Sequence, residues 1–291
     1  MRNIFIKELV RAAEKNKKIF LLVGDLGYSV VEPFAKKFKD RFYNLGVAEQ
    51  NMLGVASGIA SEGFHVFVYS IANFSTFRCA EQIRNDVDYH NFPVTIVSIG
   101  GGVGYGNLGY SHQAIQDYSL IRSMPNMLIA SPGDAFEMKS CVKYLIQNPQ
   151  PSYLRVPKSL PKNINTKEPN VRPGKWNLIH NKSKSKKTLL ATGLGLSIAE
   201  KEFNNKKYKD YNLYSIPLWG MKHKKKQIKY FKNIKEIITY EDHLEDGGFG
   251  SWIKESDTKS KLKIKIKSLK TKIKDFVANE QEYIKISKFY E

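Results

Sequence analysis

Residues 46–70 read GVAEQNMLGVASGIASEGFHVFVYS, and the fold follows from how that stretch divides. Its first part reads as a helix in which Gly54, Ser57, Gly58 and Ser61 recur at three- and four-residue spacing. That gives one face of small side chains, which suits close approach of another backbone at a subunit contact. The last part, HVFVYS at 65–70, is an apolar run of strand length. Similar runs lie to either side: IFLLV at 19–23, VTIVSI at 94–99, MLIA at 127–130 and SYLRV at 152–156. Continuous apolar strands alternating with helices are buried on both faces, so the chain reads as α/β, with a mainly parallel sheet flanked by helices.

The texture changes near Pro161. KNINTKEPNVRPGKW, at 162–176, is polar and proline-bearing, and residues 161–185 read as a linker. The strand rhythm then returns in KTLLATG (187–193), LYSIP (213–217), EIITYED (236–242) and KLKIKIKSL (261–269). LKIKIK alternates strictly, as an edge strand with one wet face does, and its lysines discourage edge-to-edge pairing. Two domains are expected, 1–160 and 186–291.

Composition narrows the class. The 291 residues include 42% apolar and 12% aromatic side chains, enough for two packed cores. No stretch approaches the ~18 apolar residues of a membrane span, and the N-terminus lacks a signal-peptide pattern. Cys79 and Cys141 show no CxxC spacing, which argues against a disulfide framework or a zinc site and for a cytoplasmic setting. The net charge of +19 comes mostly from scattered lysine, densest at Lys182–Lys187, Lys222–Lys226 and Lys259–Lys274. These runs lack interleaved aromatics or a groove-reading motif, so nucleic acid is not the expected partner. Anionic small molecules or an acidic protein partner account for the charge equally well.

Candidate chemistry lies in loops at the expected strand ends, where open α/β sheets place ligands. These are GDLGYS (24–29), NLGVAEQN (44–51), SIANFSTF (70–77), GGGVGYGNLGYSHQ (100–113) and LRVPKSLP (154–161). Taken alone, Glu49 is a first-turn helix residue favoured by the macrodipole, Phe74 and Phe77 are core aromatics, and His112 is a loop histidine. In this order, however, the loops resemble the pyrimidine-binding domain of transketolases and of deoxyxylulose-phosphate synthases. SMPNMLIASPGD extends the series, and YEDHLEDGGFGSWI (240–253) is similar to their last domain.

The resemblance assigns roles. The glutamate matching Glu49 contacts N1′ of the aminopyrimidine of thiamine diphosphate and so promotes loss of the thiazolium proton. Phe74 and Phe77 match aromatics that wall the pyrimidine. Ile71 matches a further wall position and fits a core position equally. Leu26 matches a cofactor-facing leucine, and Asp25 the acid beside it. His112 faces the substrate end and holds or shuttles protons there. Arg2, Ser29 and Arg155 match a set that binds the sugar phosphate, arginine suiting phosphate through its planar fork. The sequence departs from the family at Gly100 and Leu108, where a histidine and an acidic residue stand, leaving the sugar contacts and donor specificity open. His243 borders the site with no assigned role.

What the chain lacks matters as well. The family anchors its diphosphate through Mg2+ or Ca2+ on a GDG loop with a later asparagine, and GDLG at 24–27 has Leu26 where the second glycine belongs. The resemblance therefore implies an N-terminal transketolase subunit as partner, self-association into a heterotetramer, and no activity from this chain alone. Other readings are the beta subunit of an oxo-acid dehydrogenase, a deoxyxylulose-phosphate-synthase-like enzyme, and an inactive structural partner.

Overall fold

Five of the apolar runs read from the sequence lie side by side in one sheet. The computed structural model describes residues 1–182, 185–258, 262–280 and 282. The final residues of the expected C-terminal domain, 283–291, lie outside that set, as do Lys184, Lys259 and Lys261 of the lysine runs. The strands are β1 (Ile19–Val23), β2 (Phe42–Asn44), β3 (His65–Ile71), β4 (Val94–Ile99), β5 (Leu128–Ala130), β6 (Ser152–Val156), β7 (Asn177–His180), β8 (Lys187–Ala191), β9 (Asn212–Ser215), β10 (Leu218–Trp219), β11 (Glu236–Leu244) and β12 (Lys263–Leu269). One sheet has the order β10-β5-β6-β4-β3-β1-β2 and the other β12-β11-β8-β9-β7. Every pairing is parallel except β10 with β5 and β7 with β9.

Three short strands were not read from the sequence: β2 (Phe42–Asn44), β7 and β10. Asn177–His180 lies in the stretch read as linker, yet pairs antiparallel with β9 at an edge of the second sheet. Leu218 and Trp219 leave the second sheet and extend the first, opposite Ala130 and Ile129. None of the three is long enough to show a periodicity. β12 is an edge strand, as its alternation implies.

Packing follows from burial on both faces. Strands β4 and β6 are buried along their whole length, and β3 all but its last residue. Each Val, Ile or Leu so covered contributes roughly 1.5–3 kcal/mol. Helix Glu49–Ser61 lays Met52, Leu53, Ala56 and Ala60 into one core together with Leu22, Val66 and Val68. Its opposite face carries Gly54 and Gly58, where an added Cβ would meet nothing within 4 Å. Helix Arg2–Lys15 covers the other side with Phe5, Ile6 and Leu9.

A single parallel direction brings the C-terminal ends of β1, β2, β3, β4 and β6 to one edge. The chain first steps outward from β1 to β2, then returns to place β3 on β1's other side. Between β1 and β3 is therefore a topological switch point, where open α/β sheets form their ligand crevice.

Candidate functional site

Glu49 sits at that switch point. It opens helix Glu49–Ser61 directly after β2, and its side chain is 1% exposed. Gly24, just after β1, lies against the same spot: a Cβ there would be in ordinary contact, 3.5 Å from both Glu49 Cγ and Ser70 Oγ. Ser70 on β3 donates to Glu49 Oε1 over 3.1 Å, and Arg78 Nη1 donates to Oε2 over 2.6 Å. A carboxylate this buried requires such partners.

The segment after β3 forms the wall. Phe74 is half-buried; the guanidinium carbon of Arg78 lies 4.2 Å from its ring centroid, and the His112 ring meets it edge-on at 4.9 Å. Asn73 Nδ2 donates to the Ser111 carbonyl over 2.7 Å, tying the loop after β3 to the loop that carries His112. Ser111 Oγ is 3.0 Å from His112 Nδ1. The structure thus brings Glu49, Phe74 and His112 into one contiguous group. Phe77 is 45% exposed and lines an adjoining groove of about 530 Å³ with Asn73, Tyr110 and Gln116. Ile71 is half-buried at the end of β3. Cys79, beneath the wall, is buried, and its thiol is pushed up to about 12 by desolvation, with the Glu49 charge adding to the effect.

The loop after β1 is strained. Asp25 and Ser29 have φ of 52° and 62°, values that non-glycine residues seldom adopt and that cluster at ligand sites. Asn44 holds Asp25 from both sides, accepting from its N–H and donating to its carboxylate, each over 3.0 Å. Glu32 accepts from the Ser29 N–H over 2.7 Å. Leu26 is half-buried between them.

Arg155 requires a correction. The sequence reading placed it on the substrate phosphate, but it is 3% exposed and its guanidinium is engaged at every nitrogen. Nε donates to Asp117 Oδ2 (2.7 Å), Nη1 to both oxygens of Asp242 (2.7 and 2.8 Å), and Nη2 to the carbonyls of Ala114 (3.0 Å) and Asp242 (3.2 Å). Asp117 belongs to the first α/β unit and Asp242 to the last strands, so Arg155 pins the two sheets together. His243 lies in the same cluster, fully buried, 4.9 Å from the Tyr118 ring and 3.8 Å from Asp117 Oδ1. Burial pushes its imidazole down to about 4, so it is neutral at physiological pH. Next to Asp242, Glu241 accepts from the N–H groups of Phe249 and Gly250 at a helix start, over 2.5 and 2.8 Å.

Arg2 and Lys158 both lie near Tyr105. Lys158 Nζ is 4.5 Å from its centroid, and Arg2 acts electrostatically on Tyr105 and Tyr69. Tyr105 also accounts for the departure at Gly100: a Cβ there would stand 2.2 Å from the Tyr105 ring, which fills the space a side chain would take. Leu108 is 51% exposed. Ser70, Arg78, Tyr105 and Lys158 were not singled out from sequence. Arg78 follows FSTF directly and Ser70 closes the apolar run HVFVYS, which is the signal each one offers.

The family model for the pyrimidine binding domain of transketolase matches residues 1–163. The chain belongs to the transketolase family. Among relatives of this transketolase-family chain is a protein of Methanocaldococcus jannaschii named as a transketolase C-terminal section, 30% identical over 100% of this chain and 91% of that one. One subunit of the apulose-4-phosphate transketolase of Phocaeicola vulgatus is 29% identical over 91% of this chain and 86% of its own. A split-gene transketolase solved as an inactive beta4 tetramer superposes with a TM-score of 0.85 at 26% identity, covering 99% of this chain and 93% of that one. This is a split-transketolase-like subunit with the two-sheet transketolase fold. No helix among the described residues is long and apolar enough to cross a membrane.

Proposed function

We propose that this chain is the pyrimidine-side subunit of a thiamine-diphosphate-dependent transketolase. With a partner subunit it transfers a two-carbon ketol unit from a ketose, in phosphorylated form, to an aldose. The observation that carries this reading is the recess at the switch point: a buried carboxylate beside the face of Phe74, already hydrogen-bonded to one planar nitrogen group that stacks on that face. An aminopyrimidine requires the same pair, an acid for its ring nitrogen and a flat apolar wall.

The residues fit that half of the cofactor. For the diphosphate half, the described residues contain no group of three or more His, Cys, Asp or Glu side chains that could hold a metal ion. The partner is assigned the Mg2+ or Ca2+ site and the diphosphate. When bound, thiamine diphosphate supplies the electron sink for breaking the carbon–carbon bond beside a carbonyl. Glu49 would hold the ring nitrogen and move a proton at N1′. Phe74, Phe77 and Ile71 would orient the ring and exclude water, with Asp25 and Leu26 at its border. His112 would hold or move a proton at the substrate end. For the sugar phosphate, Arg2 and Lys158 at Tyr105 offer the cations, with Ser29 on the neighbouring strained loop. Lys158 takes the place expected of Arg155.

The test is to co-purify the chain with its partner, add thiamine diphosphate and magnesium, and compare ketol transfer with pyruvate decarboxylation. Ketol transfer that falls by roughly 10²–10⁴ in Glu49→Gln, with assembly intact, is the expected result. Pyruvate decarboxylation without ketol transfer would favour an oxo-acid dehydrogenase or deoxyxylulose-phosphate-synthase-like activity instead. Near-normal turnover in Glu49→Gln would remove Glu49 from catalysis.

A further inference from the structure

The geometry points to Arg78 as an internal occupant of the Glu49 recess, one that a planar nitrogen ring must displace in order to bind. This rests on the reading of the recess given above. A guanidinium is flat, presents its N–H donors in a plane and stacks on aromatic faces. Arg78 uses all three properties here: Nη1 donates to Glu49 Oε2 over 2.6 Å while the guanidinium carbon sits 4.2 Å from the Phe74 centroid. An aminopyrimidine needs the same carboxylate and the same kind of wall. Ser70 takes Glu49 Oε1, so Oε2 is the contested atom.

Arg78 can yield while the wall stays. Its side chain is 42% exposed, and Glu49 is the only acid with which it forms an ion pair among the described residues. The turn that carries it, Phe77–Cys79, is fixed instead by its neighbour: Cys79 is buried, and its Sγ contacts the Phe74 carbonyl at 3.3 Å. The side chain can therefore swing into solvent without unpacking the backbone. In the free chain the recess is closed and Glu49 is paired; binding a ring exchanges one charge-assisted contact for another. That exchange weakens ring binding by the strength of the displaced contact, roughly 10-fold or more.

The measurement uses the full chain, with 4-amino-2-methylpyrimidine as the probe and ligand-observed NMR titration as the readout. Arg78→Ala is expected to bind the probe at least ~10-fold more tightly than the unaltered chain. Arg78→Lys, which keeps the charge but not the planar fork, is expected to fall between them. Adding Glu49→Gln to Arg78→Ala should abolish the gain. Equal or weaker binding by Arg78→Ala, or no binding by it, overturns the inference while leaving Glu49 as ring ligand if Glu49→Gln still weakens the probe. Binding that ignores Glu49→Gln in every background overturns both the inference and the reading beneath it.

Discussion

Arg155 has five N–H donors, and the two carboxylates and two carbonyls around it take up all three of its nitrogens. Its sequence context contained half of this result. An arginine inside SYLRV, on a strand covered on both faces, needs buried acids. Its partners, however, stand 38 and 87 residues away, and no local pattern announces them. Truncation would leave Asp117 and Asp242 buried without their cation, which costs about 3–5 kcal/mol. Arg155→Ala should lower the urea midpoint by that equivalent, and should affect phosphorylated and unphosphorylated sugars alike. A selective loss for phosphorylated sugars would return Arg155 to the phosphate. Glu49 and Phe74, by contrast, were singled out by the order of the motifs GVAEQ and FSTF and not by a strand pattern, since β2 before Glu49 is only three residues long.

At the scale of elements, the long strands were readable as apolar runs and the short β2, β7 and β10 were not. Leu218–Trp219 follows a proline directly, and only the neighbouring β5 edge makes it a strand. The glycines separate in the same way. Gly195 starts helix Gly195–Phe203 so close to β11 that a Cβ would stand 2.2 Å from the Tyr240 carbonyl oxygen. Gly54 has open space at that distance. Gly195→Ala should therefore destabilise the chain by about 1–3 kcal/mol through overpacking. Gly54→Ala should stabilise it by ~0.5–1 kcal/mol, as expected for an exposed helix interior. Thermal melts of both variants check the pair, and a stabilised Gly195→Ala would contradict the helix placement. If the small face of helix Glu49–Ser61 is the self-association surface, Gly54→Ala should also weaken the oligomer in sedimentation.

The whole molecule is held by a buried charged seam between its sheets, and that seam responds to pH. His243, grouped with Asp117, Arg155 and Tyr118, has its imidazole pushed down to about 4 by burial, against about 6.5 when unfolded. As pH falls below about 6.5, the unfolded chain takes up the proton first, so His243 makes folding less favourable through that window. From pH 7 to pH 5 this amounts to about 2 kcal/mol. His243→Gln does not carry the effect, so its deficit relative to the unaltered chain should shrink by that amount between the two pH values. A deficit that does not change with pH would mean His243 is not held neutral.

In the proposed function this molecule carries one side of a cofactor site and relies on a partner for the other. Stacking on aromatic walls and one hydrogen bond give about 2–3 kcal/mol. Micromolar binding needs about 8 kcal/mol. The direct measurement is calorimetric titration of thiamine diphosphate with magnesium, first into the purified chain and then into its complex with the partner. The expected result is no micromolar binding by the chain alone and tight binding by the complex, weakened in Glu49→Ala by at least ~10-fold. Micromolar binding by the chain without any partner would contradict it.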